Sequence, residues 1–369
     1  MVDVLYNDVF SEEIEEWFAS NVNGYQLYLT STKNRLNRVL TTSGWFVSSL
    51  QLIASSSVPR KLEKEFETCE TFKFEGINEW DKASQVLSDL LNKYQQLTVK
   101  SRKIRREIRS KDFTCTEEKI IHIVELNDIK YGFMGTFSEL KDVVDYLSKL
   151  MPTHRFVSLP KRIWNLSNRV TGILSPEVVA HVFSFFVKEF LNGNNPRVKL
   201  EEKVLPEINL FDDPSYKWSP SFSVFDDEGV KTERKELIGD GFVTNYLGTI
   251  FSKYGKPGNA RGYLPLPDYF TLVLNGGDWK LDELIEDTKE GVLVNGVKRT
   301  ELVDGSVRIM PKVVKTLKGE EIKVREIAIP FQELLSLNGA TKDLLSTIVD
   351  ESHGAVVPYI RIPIRLMMY

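Results

Sequence analysis

Cysteine and histidine are scarce in this chain of 369 residues, which has two of the first, Cys69 and Cys115, and four of the second. Neither cysteine has a Cys-x-x-Cys partner or a nearby histidine pair, which argues against a disulfide scaffold or a zinc finger and for a reducing compartment. No apolar run approaches the ~18 residues that a membrane helix needs. The start, "MVDVLYNDVFSEEIEEWF", is acidic and lacks the basic and then apolar regions of a secretory signal, so a cytoplasmic protein away from the membrane is expected. An excess of one charge is missing too. The 48 basic and 52 acidic side chains leave a net charge of −4, so the chain as a whole carries no electrostatic footprint for nucleic acid.

Several catalytic signatures are also absent. There is no Gly-x-Ser-x-Gly elbow, and neither cysteine has a histidine or basic pair beside it. "GKPGNARGYLPLP", from Gly255, lacks the Gly-Lys-Ser/Thr ending of a phosphate loop. Asp226, Asp227 and Glu228 cluster without the ligand spacing of a calcium loop and read as a charged β-turn.

What is present is the balance of a globular protein, 42% hydrophobic and 27% charged, in a chain long enough for two domains. The expected class is α+β. Residues 1–155 read as an N-terminal domain of antiparallel strands with packed helices, and 156–369 as a C-terminal, mostly antiparallel β domain.

In the first, "FSEEIEEWFASN" reads as a short amphipathic helix with Ser11 as N-cap and Ile14, Trp17 and Phe18 on one face. A meander of strands follows from Gly24, with a break at Ser43-Gly44. Ala83, Val86, Leu87, Leu90, Leu91 and Tyr94 recur at three- and four-residue steps, as in a helix laid on a sheet. Seven basic residues fall between Lys100 and Lys111, a run without stacking aromatics that reads as a solvated face. "EKIIHIVELNDIKYGFMGT" reads as a hairpin in which His122 is one more strand side chain, and "SELKDVVDYLSKL" as a capped helix. Pro152 to Pro160 reads as a connector with His154 on its surface.

In the second domain, strands separated by Gly- and Asp-rich turns surround a helix at Ser175–Phe190, with further helical patterns at "LDELIEDTKEG" and "ATKDLLSTIV". The final "AVVPYIRIPIRLMMY" reads as a paired strand tucked into the sheet. The helix "SPEVVAHVFSFFVKEF" carries His181. A zinc hydrolase needs two or three side-chain ligands with a carboxylate base. Here Val182 follows the histidine, Phe185 and Phe186 stand four and five residues on, and no carboxylate occurs before Glu189. His181 therefore reads as a core or interface residue.

Three stretches together resemble the TldD/PmbA family of zinc-dependent peptidases, also called modulators of DNA gyrase. They are "LSPEVVAHVF" from Leu174, "FDDEGVKTERKELIGDGFVTNYLGT" from Phe225, and "GNARGYLPLPDYFTLVLNGGD" from Gly258. The motif positions are Asp226, Glu228, Gly229, Thr232, Arg234, Ile238, Asp240 and Gly241, then Asn259 to Tyr263, then Leu272, Leu274, Gly276 and Gly277. Gly319, Glu320 and Glu326 add a later match.

The resemblance covers most of Leu174 to the C-terminus, whereas the first ~150 residues match by architecture only. It implies pairs of subunits, in which the TldD type carries a His-Glu-x-x-x-His helix and a later cysteine as zinc ligands and the PmbA (TldE) type does not. Whether the motif is set at Ala180 or at His181, its glutamate and second histidine are missing, the latter replaced by Phe185 or Phe186. Ser352 and His353 stand near the family's cysteine. The chain thus resembles the PmbA type. That implies a non-catalytic half of a heterodimeric peptidase acting on small or unfolded peptides, with no metal of its own and zinc in a TldD-type partner. Asn259 and Arg261 are the candidates for lining the peptide groove. The alternatives are a self-sufficient metallopeptidase using His181, His353 and a carboxylate, and a homodimer that binds a peptide or protein without proteolysis.

Overall fold

A computed structural model of the chain describes residues 8–22, 25–41, 44–47, 67–109, 113–126, 129–149, 169–262 and 265–367. The expected connector, with His154, and the 155/156 boundary lie outside these residues, as do the Asn127-Asp128 turn and Ser43.

The N-terminal part is one sheet. It contains β1 (Asp8–Val22), β2 (Tyr25–Thr41), β3 (Gly44–Val47), β4 (Phe72–Lys73), β5 (Leu97–Arg109), β6 (Thr114–Leu126) and β7 (Ile129–Met134). The order is β3-β2-β1-β5-β6-β4, with β7 also beside β6 and only β4 parallel to its neighbour. Helices α1 (Ala83–Lys93) and α2 (Phe137–Lys149) bury their apolar stripes in one core with Leu97, Val99, Ile120, Val124 and Phe133 of the sheet. A reciprocal pair of bonds starts α2: the Glu139 amide donates to Thr136 Oγ1 at 3.1 Å, and the Thr136 amide donates to Glu139 Oε2 at 2.8 Å.

The segment expected as an N-terminal helix is strand β1. Its acidic residues lie opposite the basic run, which is β5: Glu12 faces Arg106, Glu13 faces Arg105, Glu15 faces Lys103 and Glu16 faces Arg102. Directly opposed charges of opposite sign stabilise a strand pair. The acidic segment read as a helix and the basic run read as a solvated face are halves of one ladder, with Arg102 Nε 2.7 Å from Glu16 and Lys103 Nζ 3.5 Å from Glu15.

The rest of the chain forms β8 (Arg169–Leu174), α3 (Pro176–Phe190), β9 (Leu210–Asp212), β10 (Lys235–Gly239), β11 (Phe242–Val243), β12 (Ala260–Arg261), β13 (Leu266–Pro267) and β14 (Thr271–Leu274). After these come α4 (Leu281–Thr288), β15 (Val292–Val303), β16 (Ser306–Thr316), β17 (Glu326–Pro330), β18 (Gly339–Ala340), β19 (Leu345–Asp350), β20 (His353–Val357) and β21 (Ile360–Met367). One sheet runs β11-β10-β9-β14-β20-β19. Another runs β17-β16-β15-β8-β21-β18, and a further pairing of β17 with β21 closes its first five strands into a ring. Val294, Ile309, Ile329, Ile362 and Ile364 of that ring are fully buried.

Helix α3 lies between the two, against β19, β20 and β14 on one side and β15 and β16 on the other. The sequence explains its start, because Pro176 fits the first helical turn and the preceding Ser175 has extended backbone. "ATKDLLSTIV" is not a helix. Its β-branched end is β19, paired antiparallel to β20. The C-terminal segment pairs on both sides, β21 lying beside β8 and β17, as its apolar sequence implies.

The face of the first sheet away from α1 and α2 covers the C-terminal part. Ile121 and Met134 pack with Phe222, and Ile108 packs with Phe225. The two cysteines meet at this seam. Cys69 and Cys115 form a disulfide with a Cα–Cα separation of 5.8 Å, a single cross-link that runs against the argument from their spacing for a reducing compartment. Sequence spacing could not show it, because Cys69 is carried to β6 by a segment whose amide bonds run to the C-terminal part, Cys69 N–H to the Gly229 carbonyl and Lys231 N–H to that of Glu67. Among the described residues no helix is long and apolar enough to cross a membrane.

Candidate functional site

At the seam lies a cavity of about 270 Å³. Its first wall is the even-numbered face of β5 with β1 and β6, and supplies Glu12, Arg102, Arg106 and Lys119. The C-terminal part supplies Arg261, Asp268, Glu351 and His353, over an apolar floor that includes Phe222 and Phe270. Two of the sequence candidates, Arg261 and His353, thus come together in one cavity.

His353 begins β20 and is 8% exposed. Its Nδ1 lies 2.8 Å from both oxygens of Asp350, and its Nε2 lies 2.9 Å from Asp268 Oδ2. Lys188, from the last turn of α3, places Nζ 3.1 Å from the same Asp268 oxygen. Burial pushes the Asp268 carboxyl up, but the hydrogen bond and charge of His353, with Lys188 and Arg261, hold it well below the usual carboxylate range. Asp350 is brought down to about 2, again because His353 outweighs burial. The Tyr269 ring packs against His353 with centroids 4.6 Å apart and planes tilted by 46°, and its hydroxyl is 2.8 Å from Ser184 Oγ on α3.

Positions on α3 tell a different story. Ala180 and Phe186 are buried in the C-terminal core, Phe186 stacking on Phe190 at 5.1 Å, and half-buried Phe185 packs against that core. His181 is half-buried one turn away from Phe185, outside the cavity lining. Desolvation pushes its pKa down to about 4, only partly opposed by Asp350, so it is neutral at pH 7.

A zinc ion does not fit these residues. Two phenylalanines fill the helix positions where a second histidine ligand would stand, and both ring nitrogens of His353 already lie within 2.9 Å of carboxylate oxygens, so neither faces an open ligand position. Among the described residues no group of three or more His, Cys, Asp or Glu is arranged to hold an ion.

Asn259 is placed differently from Arg261. It is 1% exposed, donates to Asp212 Oδ2 at 2.6 Å and accepts from Lys235, so its amide is part of a buried network and not of the cavity lining. Burial raises Asp212 to about 6 and lowers Lys235 to about 8. Other motif residues also serve the fold. Asp226 accepts from the amides of Glu228, Val230 and Ala260 at 2.9–3.0 Å. Gly241 has φ +84°, and a Cβ there would lie 2.2 Å from the Pro206 carbonyl oxygen.

Sequence reasoning missed Asp268, Asp350 and Lys188, whose partners are up to 165 residues away along the chain, and it took Arg106 only as part of the basic run.

Comparison with known proteins agrees with this architecture. TldE from Thermococcus kodakarensis superimposes with a TM-score of 0.68 at 16% identity, over 99% of this chain and 97% of that one. A proposed modulator of a DNA gyrase from Thermotoga maritima gives 0.63 at 15% identity, over 98% and 96%. At such identities these show the fold. In sequence, a metalloprotease of Methanothermobacter thermautotrophicus is 31% identical over 188 residues, 48% of this chain and 40% of that protein. One from Methanocaldococcus jannaschii is 28% identical over 139 residues, 36% of this chain and 31% of its own length. The chain therefore spans well under half the length of these curated relatives. The profile of the PmbA/TldA metallopeptidase C-terminal domain matches residues 166–364, more than half of the chain, and on that match this chain belongs to the PmbA/TldD metallopeptidase family.

Proposed function

We propose that this chain is the non-catalytic, TldE-like subunit of a heterodimeric TldD/TldE-type metallopeptidase acting on small or unfolded peptides. The observation that carries the reading is helix α3. Ala180 and Phe186 sit in the apolar core and Phe185 against it, where a zinc-binding member would present ligands. A helix so packed cannot turn those positions toward an ion without leaving a cavity in the core, at a cost of about 3–5 kcal/mol for a phenylalanine. In this proposal zinc belongs to a TldD-type partner carrying an intact His-Glu-x-x-x-His helix, and this chain supplies half of the enclosure that holds the peptide.

The experiment is coexpression with such a partner. The pair should copurify as a complex whose zinc content matches the partner alone, and peptide hydrolysis should require both chains. Stoichiometric zinc in this chain purified by itself overturns the reading. The cytoplasm is the compartment proposed for it, checked by cell fractionation; the oxidised Cys69–Cys115 pair is the observation that opposes it.

A further inference from the structure

The seam cavity contains four cationic side chains, and three of them are already neutralised. Arg102 is paired with Glu16 and Glu351. Arg106 reaches Asp227 at 2.5 Å and Ser223 Oγ at 2.7 Å. Lys119 is paired with Glu117 and donates to the Phe222 carbonyl.

Arg261 differs. Its Nη1 donates to the Tyr269 carbonyl at 3.0 Å, and its guanidinium carbon lies over the Phe270 ring, 4.5 Å from the centroid. Among the described residues no carboxylate lies at salt-bridge distance from it. Asp268 feels the Arg261 charge but gives its short contacts to His353 and Lys188, and Asp227 is engaged by Arg106 and the Gly262 amide.

A guanidinium has five N–H donors in a planar fork that matches a carboxylate bidentately. Here one donor is used, and that bond together with the Phe270 ring beside the guanidinium restrains the side chain, which lowers the entropy cost of orienting the fork. The cavity, at 270 Å³, is near the small end of ligand sites, which start at about 300 Å³, so it suits the end of a peptide and not a long segment. The end that carries a carboxylate is the C-terminus.

We propose that Arg261 is the anchor for the C-terminal carboxylate of a peptide whose last one or two residues occupy this cavity. The proposal rests on the peptide-binding reading above and adds to it the polarity and the chemistry of the bound end.

The test is calorimetric titration of the full chain with an N-acetylated apolar tripeptide, once as the free acid and once as the C-terminal amide. The acid should bind about 10- to 100-fold more tightly, the range for hydrogen bonds to charged groups. Arg261→Gln should bring the ratio to about 1, and Arg261→Lys should restore part of it. Equal affinity for acid and amide, or no binding of either, overturns the proposal. So does an acid preference that survives Arg261→Gln. If Arg261→Gln does not fold, the acid and amide comparison on the unaltered chain decides alone. Zinc in the isolated chain would remove the subunit reading and leave this ratio intact, so the two failures are distinguishable.

Discussion

Asp350 meets His353 with both of its carboxylate oxygens 2.8 Å from Nδ1, while the other ring nitrogen faces Asp268 at 2.9 Å. Both carboxyls are held below their ordinary pKa, Asp350 at about 2. A carboxylate whose folded pKa is depressed contributes stability above its unfolded pKa of about 3.9, and that contribution is lost as pH falls through the folded value. The free energy of unfolding should therefore decline between pH 4 and pH 2 more steeply in the unaltered chain than in His353→Gln, which starts lower. Urea denaturation across that window checks this. Parallel curves for the two proteins would show that the ring does not hold the carboxyls down.

Arg106 and Arg105 are neighbours in the same basic run, yet they should behave oppositely. Arg106 is 6% exposed and faces Asp227 and the fully buried Glu117, whereas Arg105 is exposed. Removing one member of a buried ion pair leaves an uncompensated charge, at about 3–5 kcal/mol. Arg106→Met should lose that much in chemical denaturation, and Arg105→Met, which gives up only an exposed cross-strand charge pair with Glu13 and Glu118, should lose no more than about 1 kcal/mol. Similar losses for both would mean that the seam does not depend on the buried cluster.

These two arginines also show where the sequence was legible and where it was not. Helix α2 was readable because Leu140, Val143, Val144 and Leu147 repeat on one face above a single sheet. The β15–β16 hairpin was readable because Asp304 and Gly305, at φ 50° and 69°, supply the left-handed turn. Strand β1 was misread because it is apolar on both faces, Ile14 and Phe18 on one and Trp17 and Ala19 on the other, which imitates helical spacing. What distinguishes it as a strand is its partner, the basic β5, more than 80 residues on. The site was half legible for the same reason. Arg261 and His353 stood out by their type and by the family pattern, but Asp268, Asp350 and Lys188 acquire meaning only when β20, the segment before β14, and α3 converge.

The disulfide joins residues 46 apart in sequence, and a cross-link of that span should stabilise by restricting the unfolded chain, by about 4 kcal/mol in the loop-entropy account. Cys115→Ser should lower the thermal midpoint, and reductant should lower that of the unaltered chain to a similar value while leaving the variant unmoved. Free-thiol titration of the native protein gives the complementary reading. Two reactive thiols after denaturation without reductant would show that the pair is not oxidised.

Helix α3 offers the most direct separation of packing from ligation. Phe186 is 3% exposed, stacks with Phe190 and meets Phe331 edge to face, so Phe186→Ala should cost about 3–5 kcal/mol whatever metal is supplied. His181 has a pKa pushed down to about 4 by desolvation. A histidine whose folded pKa lies below its unfolded value of about 6.5 costs stability as pH falls from 6.5 towards 4, because only the unfolded chain takes up the proton. The thermal midpoint of the unaltered chain should fall over that range, and that of His181→Leu should fall less. Chelator decides between the two roles. If His181 packs and does not bind metal, chelator shifts neither protein; if it is a ligand, chelator destabilises the unaltered chain and leaves His181→Leu unmoved.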